Sequence, residues 1–286
     1  MMEPKRIGIV APGSVLGGAL AEYLNGRFEV TSIGRRGALL SFDLASVRPI
    51  EASVAALDVI VNCGASFGGQ DPSGWRDAIL TNVLGAVNVL ELARRSGACH
   101  IVNISSVSAM PENADRDASG YGLSKLQAEA WLTWAADRAK GVTNLRLGPF
   151  YTDDETGARH QPFLYAVMKK AVAGSEFILY GNNDPARNYL HIQDVVRAIE
   201  RVISIRATGC FAIVAPRCYR TTRVIELAYA TFGRMAQIRR DPSRPDLPEI
   251  VWPNPTASFA ALGWCPSINL KEGLERVRSR LLGGSA

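Results

Sequence analysis

Tyr121 and Lys125 stand four residues apart in Tyr121-Gly-Leu-Ser-Lys125. On a helix that spacing puts a phenol and an ammonium on one face. The ammonium lowers the pKa of its neighbour, so the pair is suited to exchanging a proton near neutral pH. The lysine can also hold ribose hydroxyls. Upstream, His100-Ile-Val-Asn-Ile-Ser-Ser106 reads as a buried strand that ends in hydroxyls. Ligands bind at strand ends of open parallel sheets, where Ser106 could hydrogen-bond the substrate oxygen whose proton Tyr121 handles. Taken singly, Ser106 is equally a turn or N-cap serine, and Tyr121 with Lys125 a solvated pair. The chemistry is carried by their order along the chain.

A second constellation lies at the start. Ile7-Gly-Ile-Val-Ala-Pro-Gly-Ser-Val-Leu-Gly-Gly-Ala-Leu20 is a strand, a small-residue turn and a helix. Dinucleotide sites need that order, because glycines admit the pyrophosphate to the backbone and the helix offers free N–H groups. Against a G-x-x-G-x-x-G pattern, Ala11 and Ser14 replace the first two glycines, Gly17 fills the third, and Gly13 lies one register off. Pro12 fixes one φ and removes one N–H. An ordinary small-residue turn is the competing reading. The second strand ends Ser32-Ile-Gly-Arg-Arg36. Gly34 leaves empty the place where an acid binds the ribose 2′-hydroxyl of NAD, and Arg35 or Arg36 supplies a guanidinium for a 2′-phosphate. This favours NADP, with NAD as the alternative; a solvated basic turn is the bland explanation.

These residues need a scaffold, and the rest of the sequence predicts one. Short aliphatic runs at 7–10, 28–33, 58–62, 99–105 and 142–147 alternate with helical patterns at 15–25, 74–96 and 119–140, plus a short one near 46–56. That alternation predicts an α/β fold with a parallel sheet covered on both faces. Beyond Pro149 the pattern predicts helices at 162–174, 193–205, 221–233 and 270–282 and a strand at 210–214. Two regions are expected: a dinucleotide-binding domain over 1–150, and a substrate-binding region over 151–286 with elements returning to the first.

Composition narrows the class. The 286 residues are 47% hydrophobic and 21% charged, enough for a sizeable core. No apolar run reaches the roughly 18 residues that span a bilayer, and no leader-like segment precedes Ile7. The net charge of +5 comes from scattered basic pairs, not a block, so neither nucleic acid nor membrane is an expected partner. Five cysteines without C-x-x-C spacing and three histidines without H-E-x-x-H spacing argue against a disulfide framework and a metal site. A reducing cytoplasm is the expected location.

Further motifs extend the pattern: Asp43-Leu44, Asn62-Cys-Gly-Ala-Ser66, Asn82-Val-Leu-Gly-Ala-Val-Asn-Val-Leu90, Leu145-Arg-Leu-Gly-Pro149, Arg187-Asn-Tyr-Leu-His-Ile-Gln-Asp194 and Leu262-Gly-Trp-Cys-Pro266. With Ser106 and Tyr121–Lys125 they resemble the extended short-chain dehydrogenase/reductase family. This is the NAD(P)-dependent epimerase/dehydratase group acting mostly on nucleotide sugars. The resemblance implies a Rossmann-type doubly wound sheet with a smaller C-terminal α/β region. It implies Ser106, Tyr121 and Lys125 as the catalytic set, with Lys125 also on the cofactor ribose. It places Asp43 (beside Leu44) near the adenine, Ala65 on the cofactor-lining loop, Asn82 near the site, and Arg187 and Arg244 on a substrate diphosphate. It also implies a homodimer through the helices near 74–96 and 119–140. Departures fall at Pro149, Thr152-Asp153 and Met110. The short stretch from Arg36 to Asp43 resembles the dTDP-4-dehydrorhamnose reductase branch more than the long-looped epimerases.

The expected function is hydride transfer to or from a keto or hydroxy carbon, C4 by resemblance, of a nucleotide-activated sugar, with Tyr121 as acid/base. Ketoreduction stands ahead of epimerisation because a reductase draws on reduced NADP. A 4,6-dehydratase would carry an acidic pair where Val107-Ser108 follows Ser106. The alternatives are a reductase of a non-sugar ketone and a non-catalytic dinucleotide-binding protein.

Overall fold

The aliphatic runs become strands. A computed structural model describes residues 5–35, 37–50, 53–114, 119–139 and 141–283. Among these, the elements run β1 (Arg6–Val10), α1 (Val15–Leu24), β2 (Glu29–Gly34), β3 (Leu40–Ser41), β4 (Val59–Asn62), α2 (Pro72–Ala78) and α3 (Gly85–Ser96). Next come β5 (His100–Ser106), α4 (Pro111–Ala114), α5 (Tyr121–Ala139), β6 (Gly141–Leu147), β7 (Phe150–Tyr151), α6 (Pro162–Ala173), β8 (Phe177–Tyr180), β9 (Ala186–Arg187) and β10 (Leu190–His191). The rest are α7 (Ile192–Ile205), β11 (Gly209–Ile213), β12 (Tyr219–Arg220), α8 (Thr221–Thr231), β13 (Ile238–Asp241), α9 (Thr256–Leu262) and α10 (Leu270–Gly283).

The chain forms two compact units. The first comprises residues 1–147, 196–213 and 255–264. Its parallel sheet has seven strands in the order β11-β6-β5-β4-β1-β2-β3. Strand order reverses between β1 and β4, which is where a doubly wound sheet opens a ligand crevice. Side chains alternate across the strands, so paired residues form rows on one face. Ile60, Ile101 and Val142 form one such row, packed with Val89 and Leu92 of α3 and Leu132 of α5. Two residues further on, the same face carries Asn62, Asn103 and Asn144, which are also directly opposite one another.

Helix ends follow their local chemistry. Ser14 caps α1 by accepting from the Gly17 N–H. Asp71 caps α2, and Pro72 occupies the first turn, where its missing N–H costs nothing. The helix expected over 74–96 is interrupted by a π-helical turn at Ile79–Leu84. The short helix expected near 46–56 does not form among the described residues there. The Ser46 hydroxyl instead accepts from the Arg48 N–H, and Asn88 holds the carbonyls of Leu44 and Ser46. Pro49 also lacks a donor for a helix.

The second unit comprises residues 148–195, 214–254 and 265–286. Its core gathers Tyr151, Met168, Phe177, Ile225 and Leu274 from α6, α8, α10 and short strands. The strands pair two by two, β7 with β10, β9 with β12 and β8 with β13. No described helix is long and apolar enough to cross a membrane.

Candidate active site

The crevice at the sheet's reversal holds a cavity of about 630 Å³, in the range of ligand pockets. Gly13, Ser14, Arg35, Asp43, Leu44 and Ala65 line it, as do Val10 and Gly34 at the strand ends. Thr81, which belongs to no motif singled out above, lines it as well. Arg36 lies outside the described residues.

The turn is built to bring α1 close. Ala11 has φ +60°, donates to the Ile33 carbonyl at 2.9 Å, and accepts from the Ser14 hydroxyl at 2.9 Å. A Cβ on Gly17 would stand 2.3 Å from the Ala11 carbonyl oxygen, so only glycine fits the third position of the pattern. Gly13 faces open space, and a Cβ on Gly34 would meet the Pro12 ring at 3.3 Å. A left-handed alanine costs roughly 1–2 kcal/mol, so the loop keeps its shape at some strain. The cavity, the helix N-terminus and the Gly17 approach together fit a dinucleotide.

Lys125, Ser106 and the first turn of α5 meet at the carboxyl end of β5. Lys125 is 3% exposed, and its Nζ donates to the Ile104 carbonyl at 2.7 Å, two residues before Ser106. Burial pulls its ammonium down to about 8, while Glu129 acts to raise it. Burial also pushes the Cys63 thiol up to about 12. Ser106 caps the 3-10 turn Val107–Ala109 by accepting from the Ser108 N–H at 3.1 Å. A Cβ on Gly122 would stand 2.4 Å from the Ser108 carbonyl oxygen. The glycine after Tyr121 therefore lets that turn of α5 lie against the turn that follows Ser106.

The loop after β4 supports the same place. Phe67 packs on the Tyr121 ring with centroids 5.0 Å apart. Asn82, in the π-helical turn, donates to the Ser66 carbonyl and the Ser124 hydroxyl, each at 2.8 Å, and accepts from the Ser66 N–H at 2.9 Å. Its amide thus ties this loop to α5. The Asn62 side-chain Oδ1 accepts from the Gly64 N–H at 3.2 Å, and its Nδ2 donates to the Asn103 Oδ1 at 3.1 Å. Asn103 in turn donates to Asn144 at 3.0 Å. This buried amide ladder, with Phe67, escaped the sequence reading. One asparagine on each of three neighbouring strands, β4, β5 and β6, is the signal that could have found it.

In the second unit, the Arg187 Nε donates to the Thr221 hydroxyl at 3.2 Å, and its guanidinium lies 5.8 Å from the Phe163 ring centroid. Asp194 accepts from the Ser267 hydroxyl and from the N–H groups of Ser267 and Ile268. Arg244 is exposed, with its guanidinium 5.7 Å from the Tyr180 ring centroid.

Comparison with known proteins agrees with this architecture. Residues 13–209 match the NAD dependent epimerase/dehydratase family. A dTDP-4-dehydro-6-deoxy-D-allose reductase from a Streptomyces species is 28% identical over 211 residues, 66% of this chain and 64% of that protein. The match thus spans just under two thirds of that relative's length. The structure of MoeE5 in complex with UDP-glucose and NAD superposes with a TM-score of 0.79 at 21% identity, covering 98% of this chain and 100% of that one. RMD from Pseudomonas aeruginosa, complexed with NADPH, gives 0.77 at 18% identity, covering 96% and 98%. The family match covers more than half of the sequence, and the chain belongs to the NAD dependent epimerase/dehydratase family.

Proposed function

We propose that this protein is an NADP-dependent oxidoreductase that reduces a keto group, at C4, of a nucleotide-activated sugar. The observation that carries the reading is the buried Lys125 ammonium, bonded to the β5 backbone two residues before Ser106 and one helical turn from Tyr121. The likeness to a dTDP-4-dehydro-6-deoxy-D-allose reductase supports a nucleotide sugar and a reduction.

The dinucleotide, when bound, supplies the hydride. Ser106 orients the substrate oxygen by hydrogen bond, and Tyr121 delivers a proton to that oxygen from its phenol. Lys125 keeps a positive charge beside the phenol and holds ribose hydroxyls. Arg35 meets the 2′-phosphate, while Gly34, against Pro12, offers no carboxylate to repel it. Arg187 and Arg244 take the substrate diphosphate, which suits guanidinium geometry.

The test is product analysis after incubation with NADPH and a panel of nucleotide-linked keto sugars, with Tyr121→Phe alongside. The expected result is NADPH-dependent reduction of one panel member, abolished by Tyr121→Phe with NADPH affinity retained. Turnover of a nucleotide-free ketone with indifference to nucleotide sugars would overturn the substrate, and retained activity in Tyr121→Phe would overturn the proton donor.

A further inference from the structure

Helix α5 meets the sheet through polar side chains as well as apolar ones. Lys125, Glu129 and Thr133 recur every fourth residue and share one face. Each is tied to a strand: Lys125 to the Ile104 carbonyl, and Thr133 to Asn144 at 3.3 Å. Glu129, 5% exposed, is the centre. Its Oε1 accepts from the Ser105 hydroxyl at 2.5 Å and from Arg146 Nε at 3.0 Å, and its Oε2 accepts from Arg146 Nη2 at 2.7 Å. Ser105 is the neighbour of Ser106, and Arg146 stands opposite Ser105 in the β5–β6 register.

A buried ion pair is a poor way to hold a fold. Its desolvation offsets most of its attraction, and apolar replacements of similar volume are often neutral or stabilising. The same face already carries an apolar row at Ile60, Ile101 and Val142. What the pair adds is direction: one carboxylate, with both oxygens engaged, fixes β5, β6 and α5 at a single point.

We propose that Glu129 is a positioning residue of the reaction centre, clamping the Ser106 end of β5 to the turn of α5 that follows Lys125 and keeping the Lys125 ammonium charged. This rests on the function proposed above for Ser106, Tyr121 and Lys125. The groups around Lys125 are Tyr121 and Glu129 on its own helix, Cys63 after β4, and Arg146 of β6 behind Glu129. Burial keeps the Cys63 thiol neutral until about pH 12, so Glu129 is the carboxylate that supports the cation.

The charge is read without substrate or cofactor. The chain has six lysines, so the Lys125 signal in lysine-[13Cε]-labelled protein is assignable by its loss in Lys125→Arg. The wild-type titration midpoint is expected near pH 8. Glu129→Gln should lower it by on the order of one pH unit, and Glu129→Asp should restore most of the shift. NADPH affinity, followed by fluorescence, should fall about tenfold in Glu129→Gln. Ser105→Ala, a change too small to unfold the chain, keeps the charge and cuts the clamp. It should leave the midpoint in place and weaken NADPH about threefold. A merely structural Glu129 would lower thermal stability and leave the Lys125 midpoint and NADPH affinity untouched, which overturns the proposal. If Glu129→Gln does not fold, unchanged NADPH affinity in Ser105→Ala overturns it alone. Wild-type protein that fails to bind NADPH refutes the proposed function, whereas the cofactor-free titration still decides the link between Glu129 and Lys125.

Discussion

The Lys125 ammonium donates to the Ile104 carbonyl across 2.7 Å in a site that leaves the lysine 3% exposed. A cation so placed weakens the fold it serves. The unfolded chain holds this proton up to pH 10.5, whereas burial lowers the folded value to about 8. Between those values the unfolded state binds more protons, so stability rises with pH across that window. Below pH 8 the charged lysine costs the fold about 3 kcal/mol. Lys125→Met is therefore expected to stabilise the protein at pH 7 by about 1–2 kcal/mol, the loss of the Ile104 bond taking the rest. The gain should shrink as the pH approaches 10.5. Urea unfolding at the two pH values checks this, and a Lys125→Met variant less stable than wild type at pH 7 would contradict it.

Gly122 sets two effects against each other. In a helix, alanine is favoured over glycine by about 1 kcal/mol. Here a Cβ would stand 2.4 Å from the Ser108 carbonyl oxygen and 3.1 Å from the Ala114 Cα, so the first turn of α5 would have to move. Misplacement of about 1 Å at a reacting group costs on the order of a hundredfold in rate. Gly122→Ala should keep its helical circular dichroism and lose about that much turnover on the substrate the wild type uses. Wild-type turnover would show that Tyr121 does not depend on this close approach.

The first unit was legible in the sequence because its signals are local. Strands buried on both faces are unbroken aliphatic runs, and the helices between them keep their period, so each lies within a few residues of its expected place. The helix expected at 46–56 failed because long-range bonds from Asn88 take the carbonyls such a turn would use. The short strands β7, β9, β10 and β12, two residues each, carry no periodicity to read. Of the proposed catalytic residues, Tyr121, Lys125 and Ser106 stand out in the sequence by their spacing. Glu129, Ser105 and Arg146 do not, because they meet only when α5 lies on the sheet. Arg35 illustrates the limit: the sequence supplies a guanidinium, and the structure leaves it exposed at the cavity rim.

His100 makes the fold sensitive to acid. Its Nε2 lies 2.8 Å from the Thr143 hydroxyl, which itself donates to the Ala207 carbonyl, so Nε2 carries the proton. Nδ1 is buried with no hydrogen-bond partner among the described residues. Burial, with a smaller contribution from Arg206, lowers the imidazole to about 4. The unfolded chain takes up this proton below about pH 6.5 and the folded one only near 4, so stability drains away over that interval, by about 2–3 kcal/mol. His100→Gln retains a donor for Thr143 and cannot titrate. Its urea midpoint should fall less than that of wild type between pH 7 and 4.5, and equal falls would place the acid sensitivity elsewhere.

Tyr151 and Gly273 should respond in opposite directions. The Tyr151 hydroxyl is buried without a hydrogen-bond partner among the described residues, and a Cβ on Gly273 would lie 1.7 Å from it. An unpaired buried hydroxyl costs about 1–3 kcal/mol, so Tyr151→Phe should be neutral or stabilising by about 1 kcal/mol. Gly273→Ala has no room beside a fully buried ring and should destabilise by about 3 kcal/mol. Thermal melts of both variants check the pair. A destabilised Tyr151→Phe would reveal a hydrogen bond that the hydroxyl needs.

The outer faces of α2, α3 and α5 carry several large exposed apolar side chains. Trp75, Ile79, Leu80 and Val87 on the first pair of helices and the turn between them, and Leu123, Trp131 and Trp134 on α5, are each more than a third exposed. Trp131 and Trp134 meet edge to face at 5.8 Å, and α3 and α5 pack side by side on the sheet. Contiguous apolar patches of a few hundred Å² mark interaction surfaces, and a stable interface needs about 800 Å² from each partner. A second copy of the chain, presenting the same helices about a twofold axis, covers such a patch with itself. Light scattering should therefore give twice the chain mass of 30.9 kDa. Trp131→Glu with Trp134→Glu should give a folded monomer, because charges buried against an apolar face have no partner. A wild-type species of 30.9 kDa at micromolar concentration would reject the dimer and leave the tryptophans to a different partner.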